Sequence, residues 1–584
     1  MYGMRGKSLR IIMNQLLNKS EKIKMKILVK SIVLMVLVLI VTSCEKENLM
    51  EKEFASFLKD YESKVIPLSK KSALADFDAS ISGKESDYKK AADYRLELTK
   101  FYSDKETFEK LKKFKNSGEI KDELLKRQLE LIYNSYAANQ LDEKLLEEIV
   151  NLSSKVENKF STYRAEFDGK KYTDNQIDEI LETSKNSTEL EKAWKASKQI
   201  GSEVAPDIIK LVKLRNEAAV KLGYKNYHQM SLTLSEQNAD DIETLFDELD
   251  SLTRNEFTKL KSTIDEYLSK KLNVPKDKLM PWHYQDKFFQ QGPKIYDVDF
   301  DAYYKDKDVV EITRKYYDGL GLNIDDIIKN SDLYEKEGKY QHAYCTNIDR
   351  FADVRVVCNV KPNYRWMGTM MHEFGHAIYD KFLPEELPWT LRTPAHTFTT
   401  EAIAMLFGRM ASSPEWIYDV IGISREEKEK ISGESFNALK LEQLTFSRWV
   451  QVMYRFEKRM YENPDQDLNS LWWQLVEKYQ MIKKPEGRDN PDWASKIHIA
   501  LYPAYYHNYM LGELLASQLF HYINKDVLFN ENVTDASFNN SEDVGNYLME
   551  NYFKHGAKYS WNEMIEKATG EKLTAKYYAL QFVK

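Results

Sequence analysis

Helical spacing that runs almost without interruption is what most constrains this chain. The stretch DELLKRQLELIYNSYAANQLDEKLLEEIVNLSSKVENKF (122–160) carries an apolar stripe with charge on the other side, the pattern of a helix with one buried face. Similar stretches follow one another, and only 21 Gly and 14 Pro punctuate 584 residues. The expected fold class is therefore mainly α. Length alone would suggest several domains, but no repeat, Gly/Ser linker or low-complexity run divides the chain. Its charged helix faces read as solvated surface without chemistry.

The first 43 residues differ in kind. Arg5, Lys7, Arg10, Lys19, Lys22, Lys24, Lys26 and Lys30 precede an unbroken apolar run, Ile32 to Val41. That run is short for a membrane-spanning helix, which needs about 20 residues. A basic segment, a short apolar segment and small residues before a cut describe a secretory signal. The cut falls at VTSC, which resembles the bacterial lipobox, so Cys44 becomes the lipidated first residue. Residues 1–43 are thus expected to be a lipoprotein signal peptide and 44–584 one catalytic domain, lipid-anchored in the bacterial cell envelope, periplasmic or at the cell surface. An uncleaved anchor is the alternative. Removing the signal takes away eight basic residues and one acidic, so the formal charge moves from −7 to −14. An acidic chain without a basic block argues against nucleic acid as a partner. Cys345 and Cys358 remain; in an exported protein they form a disulfide or stay as two buried thiols, with the bridge slightly favoured.

The segment MMHEFGHAIYD (370–380) holds His-Glu-x-x-His. Residues four apart share one helix face, so His372 and His376 can point at one ion. Glu373, one step on, is placed to take a proton from water. The competing reading is two histidines on one face of an ordinary buried helix. Gly375 and Ala377 allow close packing against a neighbour. A zinc enzyme of this type needs a third protein ligand and one open position. Glu401 opens an apolar helical run 29 residues after His372 and is preferred over His396, which stands in a Thr-rich irregular stretch.

These motifs resemble the angiotensin-converting-enzyme-like family of zinc dipeptidyl carboxypeptidases, in the wider group with thimet oligopeptidase and carboxypeptidase Taq. An Arg stands nine residues before the zinc Glu in that family, as Arg392 does before Glu401. AWKASKQIG and KLRNEAAVKLGY are similar to upstream helices of the same family. The resemblance implies two helical lobes around a deep central cleft, with one zinc ion per chain on His372, His376 and Glu401 and Glu373 as base.

Before the zinc helix, DVRVVCNV reads as a strand with HAYC pairing back to it, a small sheet whose edge can hold an extended peptide. By resemblance, His342 donates to a substrate carbonyl and Ala343 pairs with the peptide backbone. The family's disulfide ends at the residue matching Cys358, while Cys345 lies a few residues off its expected partner. The family's Lys-x-His followed by Tyr-x-x-Tyr matches Lys496, His498, Tyr502 and Tyr505. His498 and Tyr505 are then expected to stabilise the tetrahedral intermediate, and Lys496 and Tyr502 to bind the substrate's C-terminal carboxylate, with Gln285 sharing that duty. Tyr502, Tyr505 and Tyr509 are also spaced as an aromatic core stripe would be.

Three departures stand against the family pattern. The gap from His498 to Tyr502 is three residues shorter, Ala504 replaces a chloride-binding Arg, and Met405 replaces an Asp that orients a zinc ligand. The expected function is a zinc metallopeptidase that releases C-terminal dipeptides from short peptides, favoured as a monomer. An oligopeptidase or single-residue carboxypeptidase on the same scaffold is the nearest alternative, and a non-catalytic peptide-binding lipoprotein the more distant one.

Overall fold

A computed structural model describes residues 49–296, 298–530 and 534–583. The signal segment and Cys44 lie outside the described residues. The expected class holds: the chain is mainly helical, with two two-stranded antiparallel sheets among the described residues. The segment chosen above for its stripe forms two helices, Glu123–Ala138 and Glu143–Thr162, capped by Asp122 and Asp142, whose side chains accept from Leu125 and Leu145 N–H. Sparse turn formers allow very long helices. Leu49–Ser82 (α1), Ser187–Lys221 (α2), Ala239–Leu272 (α3) and Arg425–Glu462 (α4) each run for 34 residues or more. Among the described residues no helix is long and apolar enough to cross a membrane.

Most elements share one continuous core, which includes Trp194, Phe246, Trp416, Trp449 and Phe456. A smaller cluster gathers Phe54, Leu58, Phe108, Leu129 and Tyr136 from the N-terminal helices and packs on Trp389. Between the two lies a cavity of about 890 Å3. Tyr61, Tyr102 and Ser135 line it from the N-terminal side; His372, Glu373 and Glu401 line it from the main body. This is the cleft between two helical bodies that the family resemblance implied.

The second sheet sits beside that cavity. Strand β1 (Tyr344–Asn347) pairs antiparallel with β2 (Val354–Val357), Cys345 opposite Val356. The first sheet, Ala165–Phe167 with Lys170–Tyr172, lies elsewhere. Cys345 and Cys358 are both free thiols, which corrects the slight preference for a bridge. Cys345 faces Val356 across the ladder, so Cys358 is two residues past its opposite position, at diagonal rather than bonding distance.

Candidate metal centre

Helix α5 (Tyr364–Lys381) starts where the Asn363 side chain accepts from Trp366 N–H. Its apolar residues Met367, Met370, Met371, Phe374 and Ile378 are buried, leaving His372 and His376 one turn apart on the cavity face. Helix α6 (Thr397–Gly408) packs directly against it. Gly375 makes that approach possible: a Cβ there would lie 2.8 Å from Ala404 Cα. The close pairing carries Glu401, on α6, to the two imidazoles.

Glu401 Oε2 lies 3.7 Å from His372 Nε2 and 3.8 Å from His376 Nε2. Among the described residues these three form a group whose ligand atoms all lie within 4.8 Å of one another. Tetrahedral zinc with bonds of about 2.0–2.1 Å sets its ligands roughly 3.4 Å apart, so the donor set fits with a slight inward adjustment. Burial holds the His372 imidazole down at about 4 and His376 at about 3, the latter helped by His372; both present neutral lone pairs. His376 Nδ1 lies 2.8 Å from Thr400 Oγ1, which fixes Nε2 as the free acceptor when Nδ1 carries the proton. His396 is not in the group: its Nδ1 accepts from Phe398 N–H as the cap of α6.

Glu373 is buried beside the group and lines the same cavity. Burial, then the Glu401 charge, pushes its carboxyl up to about 8, opposed by the Cys345 N–H that it accepts from. Glu401 itself is raised to about 7 by burial. A divalent cation would oppose both shifts. Met405 packs beside Glu401 against Gly512: a Cβ there would meet Met405 Sδ at 3.1 Å and Glu401 Cβ at 3.2 Å. The Arg392 guanidinium donates to the Leu387 and Arg350 carbonyls and caps the Phe351 ring, holding the loop that leads into α6.

The second cluster surrounds helix α7 (His507–Tyr522). Lys496 is buried and donates to Gln290 Oε1 at 2.6 Å. Gln285 is occupied elsewhere, donating to Glu182 O and accepting from Lys294 N–H; the glutamine beside Lys496 is Gln290. Tyr502 is 57% exposed, whereas Tyr506 is buried with its ring 5.4 Å from Lys496 Nζ and 5.1 Å from the His498 ring. Tyr505 and Tyr509 both feel the Glu401 carboxylate. Tyr509 stands three residues before Gly512, on the face of α7 that rests on Glu401 Cβ. The spacing Tyr-x-x-Tyr occurs twice, as 502/505 and 506/509, and the second pair runs from Lys496 to the metal group. His498 has a buried Nδ1 without a partner among the described residues, and burial with Lys496 nearby holds the ring down at about 4. His342 is exposed against the Tyr340 ring and does not line the cavity, while Ala343 does; the strand begins only at Tyr344. Ala504 has φ +55° and donates its N–H to Glu457 at 3.0 Å; with the tyrosine pair at 506/509, the position before its second tyrosine is Asn508.

The sequence profile described as angiotensin-converting enzyme matches residues 48–582. The chain belongs to the angiotensin-converting enzyme family. It is a peptidase. Thermostable carboxypeptidase 1 of Pyrococcus furiosus is 24% identical over 430 residues, 68% of this chain and 77% of that protein. Angiotensin-converting enzyme of Theromyzon tessulatum is 24% identical over 495 residues, covering 78% of this chain and 79% of that protein. Against the Mus musculus angiotensin-converting enzyme, 22% identity extends over 67% of this chain but only 32% of the longer relative.

Proposed function

We propose that this family member is a zinc-dependent peptidyl-dipeptidase acting on short peptides. The observation that carries the reading is the convergence of His372, His376 and Glu401 with Glu373 beside them on one cavity wall. Zinc held there supplies Lewis acidity, polarising the scissile carbonyl and acidifying the attacking water. Glu373 accepts the proton of that water and delivers it to the departing amine. Tyr509, with Tyr505 beside it, donates its hydroxyl to the developing oxyanion; His498 adds an N–H donor. Preorganised donors of this kind contribute about 3 kcal/mol each. Lys496 and Gln290 hold the free C-terminal carboxylate, Tyr506 packing against them in the place first given to Tyr502. Ala343 and β1 hold the peptide backbone.

A defined ten-residue peptide, free or amidated at its C-terminus, tests this by mass spectrometry of products with and without chelator. Dipeptide release that is lost on amidation and on chelation supports the reading; internal cleavage indifferent to amidation replaces it with the oligopeptidase alternative, and release of single residues replaces it with the carboxypeptidase one. The carboxypeptidase named among the relatives is the observation that keeps that second reading in play. Glu373→Gln should keep metal and lose turnover; unchanged absence of turnover in the native chain leaves only peptide capture.

The lipid anchor on Cys44 and an envelope location, with a monomeric catalytic body, complete the proposal. The sequence VTSC after the basic and apolar segments supports it. Radiolabelled palmitate incorporated into the native chain but not into Cys44→Ala is the expected result.

A further inference from the structure

Two buried lysines share a second cavity and carry no ion pair among the described residues. This cavity, about 650 Å3, is lined by Lys198, Lys496, Phe288 and Gln290 among others. Lys198 projects from α2 and is 2% exposed. Its Nζ lies 3.2 Å from the centre of the Phe288 ring, and Lys496 Nζ lies 5.4 Å from the same centre. The two ammonium groups are therefore within about 9 Å of each other, inside one Debye length at 0.1 M salt.

The other lysines around the cavity are paired with carboxylates. Lys287 pairs with Asp174 at 2.7 Å and Asp178 at 3.0 Å, Lys294 with Glu182 at 2.5 Å, and Arg488 with Asp492 at 2.5 Å. Asp286 accepts from the Phe288 and Gln290 N–H groups and acts on both lysines only at range, and Asp492, held by Arg488, acts on Lys198 in the same way. Lys496 has Gln290, but Lys198 Nζ makes no hydrogen bond or ion pair to any described residue. Stacking on Phe288 and Trp194 packs the Lys198 side chain, yet ring contacts return less than an ammonium loses on leaving water.

We propose that this cavity receives the last residue of the substrate and selects glutamate there, its side-chain carboxylate on Lys198 and its α-carboxylate on Lys496 and Gln290. The inference rests on the reading that a free C-terminus enters here. Glutamate holds its two carboxylates three carbons apart, and charge-assisted hydrogen bonds reach about 2.8 Å at each end, enough to span the two lysines; aspartate is one carbon shorter. Burial holds Lys496 down at about 8 and Lys198 well below its ordinary value. A second carboxylate beside Lys198 favours its ammonium form, so binding of a dicarboxylate is linked to proton uptake there.

Calorimetric titration of the full chain at pH 7 with Ala-Glu and with Ala-Gln, in two buffers of different ionisation enthalpy, tests this. Ala-Glu should bind at least tenfold more tightly than Ala-Gln and take up more protons. Lys198→Met should bring the two affinities within twofold, and Lys198→Arg should keep the preference. Equal affinities in the native chain, or a preference that survives Lys198→Met, overturns the proposal. If Lys198→Met does not fold, the native affinities decide, and Ala-Glu binding no tighter than Ala-Gln overturns it. Amidated Ala-Gln separates the underlying reading: equal binding of acid and amide removes C-terminal anchoring, whatever Lys198 does.

Discussion

Thr400 Oγ1 lies 2.8 Å from His376 Nδ1, one residue before the carboxylate that faces the same imidazole. One turn of α6 thus carries both a carboxylate proposed as a metal ligand and the hydroxyl that orients a second proposed ligand. Met405 removes the family's usual orienting carboxylate, and the Thr400 hydroxyl is what this chain has in contact with His376. Thr400→Val should weaken zinc binding by about 10- to 100-fold, read by competition with a chromogenic chelator. Thr400→Ser should keep most of the affinity. Unchanged affinity in Thr400→Val would assign the hydroxyl to packing alone.

The metal group was legible because helices impose it. His372 and His376 four apart fix one face of α5, and Glu401 at the head of an apolar run fixes the facing position of α6. The substrate contacts were less legible because irregular backbone places them. Gln290 reaches Lys496 from a loop in which Gln285 and Phe289 take φ of +65° and +51°, and no periodicity shows which glutamine such a loop turns inward. Tyr506 and Tyr509 were hidden by a repeat of their own spacing four residues earlier; only the packing of Gly512 on Glu401 separates the two pairs. His342 was misplaced for a simpler reason, since the strand starts two residues later than HAYC implied.

Gly375 is the packing residue on which the metal group depends. A methyl there would stand 2.8 Å from Ala404 Cα and 3.2 Å from Ile403 O. Alanine gains about 1 kcal/mol in helix propensity over glycine, while overpacking costs about 1–3 kcal/mol, so Gly375→Ala should be net destabilising. Because α6 must move away, Glu401 moves with it, and zinc affinity should fall together with the melting temperature. A melting temperature that rises, with affinity intact, would show that the two helices have slack.

Tyr509 and Tyr505 make opposite demands on mutagenesis. A hydroxyl that donates only to the transition-state oxyanion should, when removed, lower kcat by about 100- to 1000-fold with little change in KM. Tyr509→Phe is expected to show that loss, because its helix face rests on Glu401. Tyr505→Phe should cost tenfold or less. Steady-state kinetics on one peptide decides it, and the reverse ranking would restore Tyr505 as the principal donor.

Lys496 links the site to pH. Burial, the largest influence, holds its ammonium down at about 8, so the cation needed for a substrate carboxylate is present below that pH and lost above it. For a peptide with a free C-terminus, KM should rise about tenfold per pH unit above pH 8. Lys496→Met should raise KM at pH 7 by about 10- to 150-fold, the worth of a hydrogen bond to a charged group at 1.5–3 kcal/mol, and should flatten that limb. Lys496→Arg should move the limb beyond the measurable range, since a guanidinium does not deprotonate there. Profiles of KM from pH 6.5 to 9.5 for the three proteins separate this effect from any titration at Glu373, which all three retain. A native limb that persists unchanged in Lys496→Met would place the carboxylate anchor elsewhere.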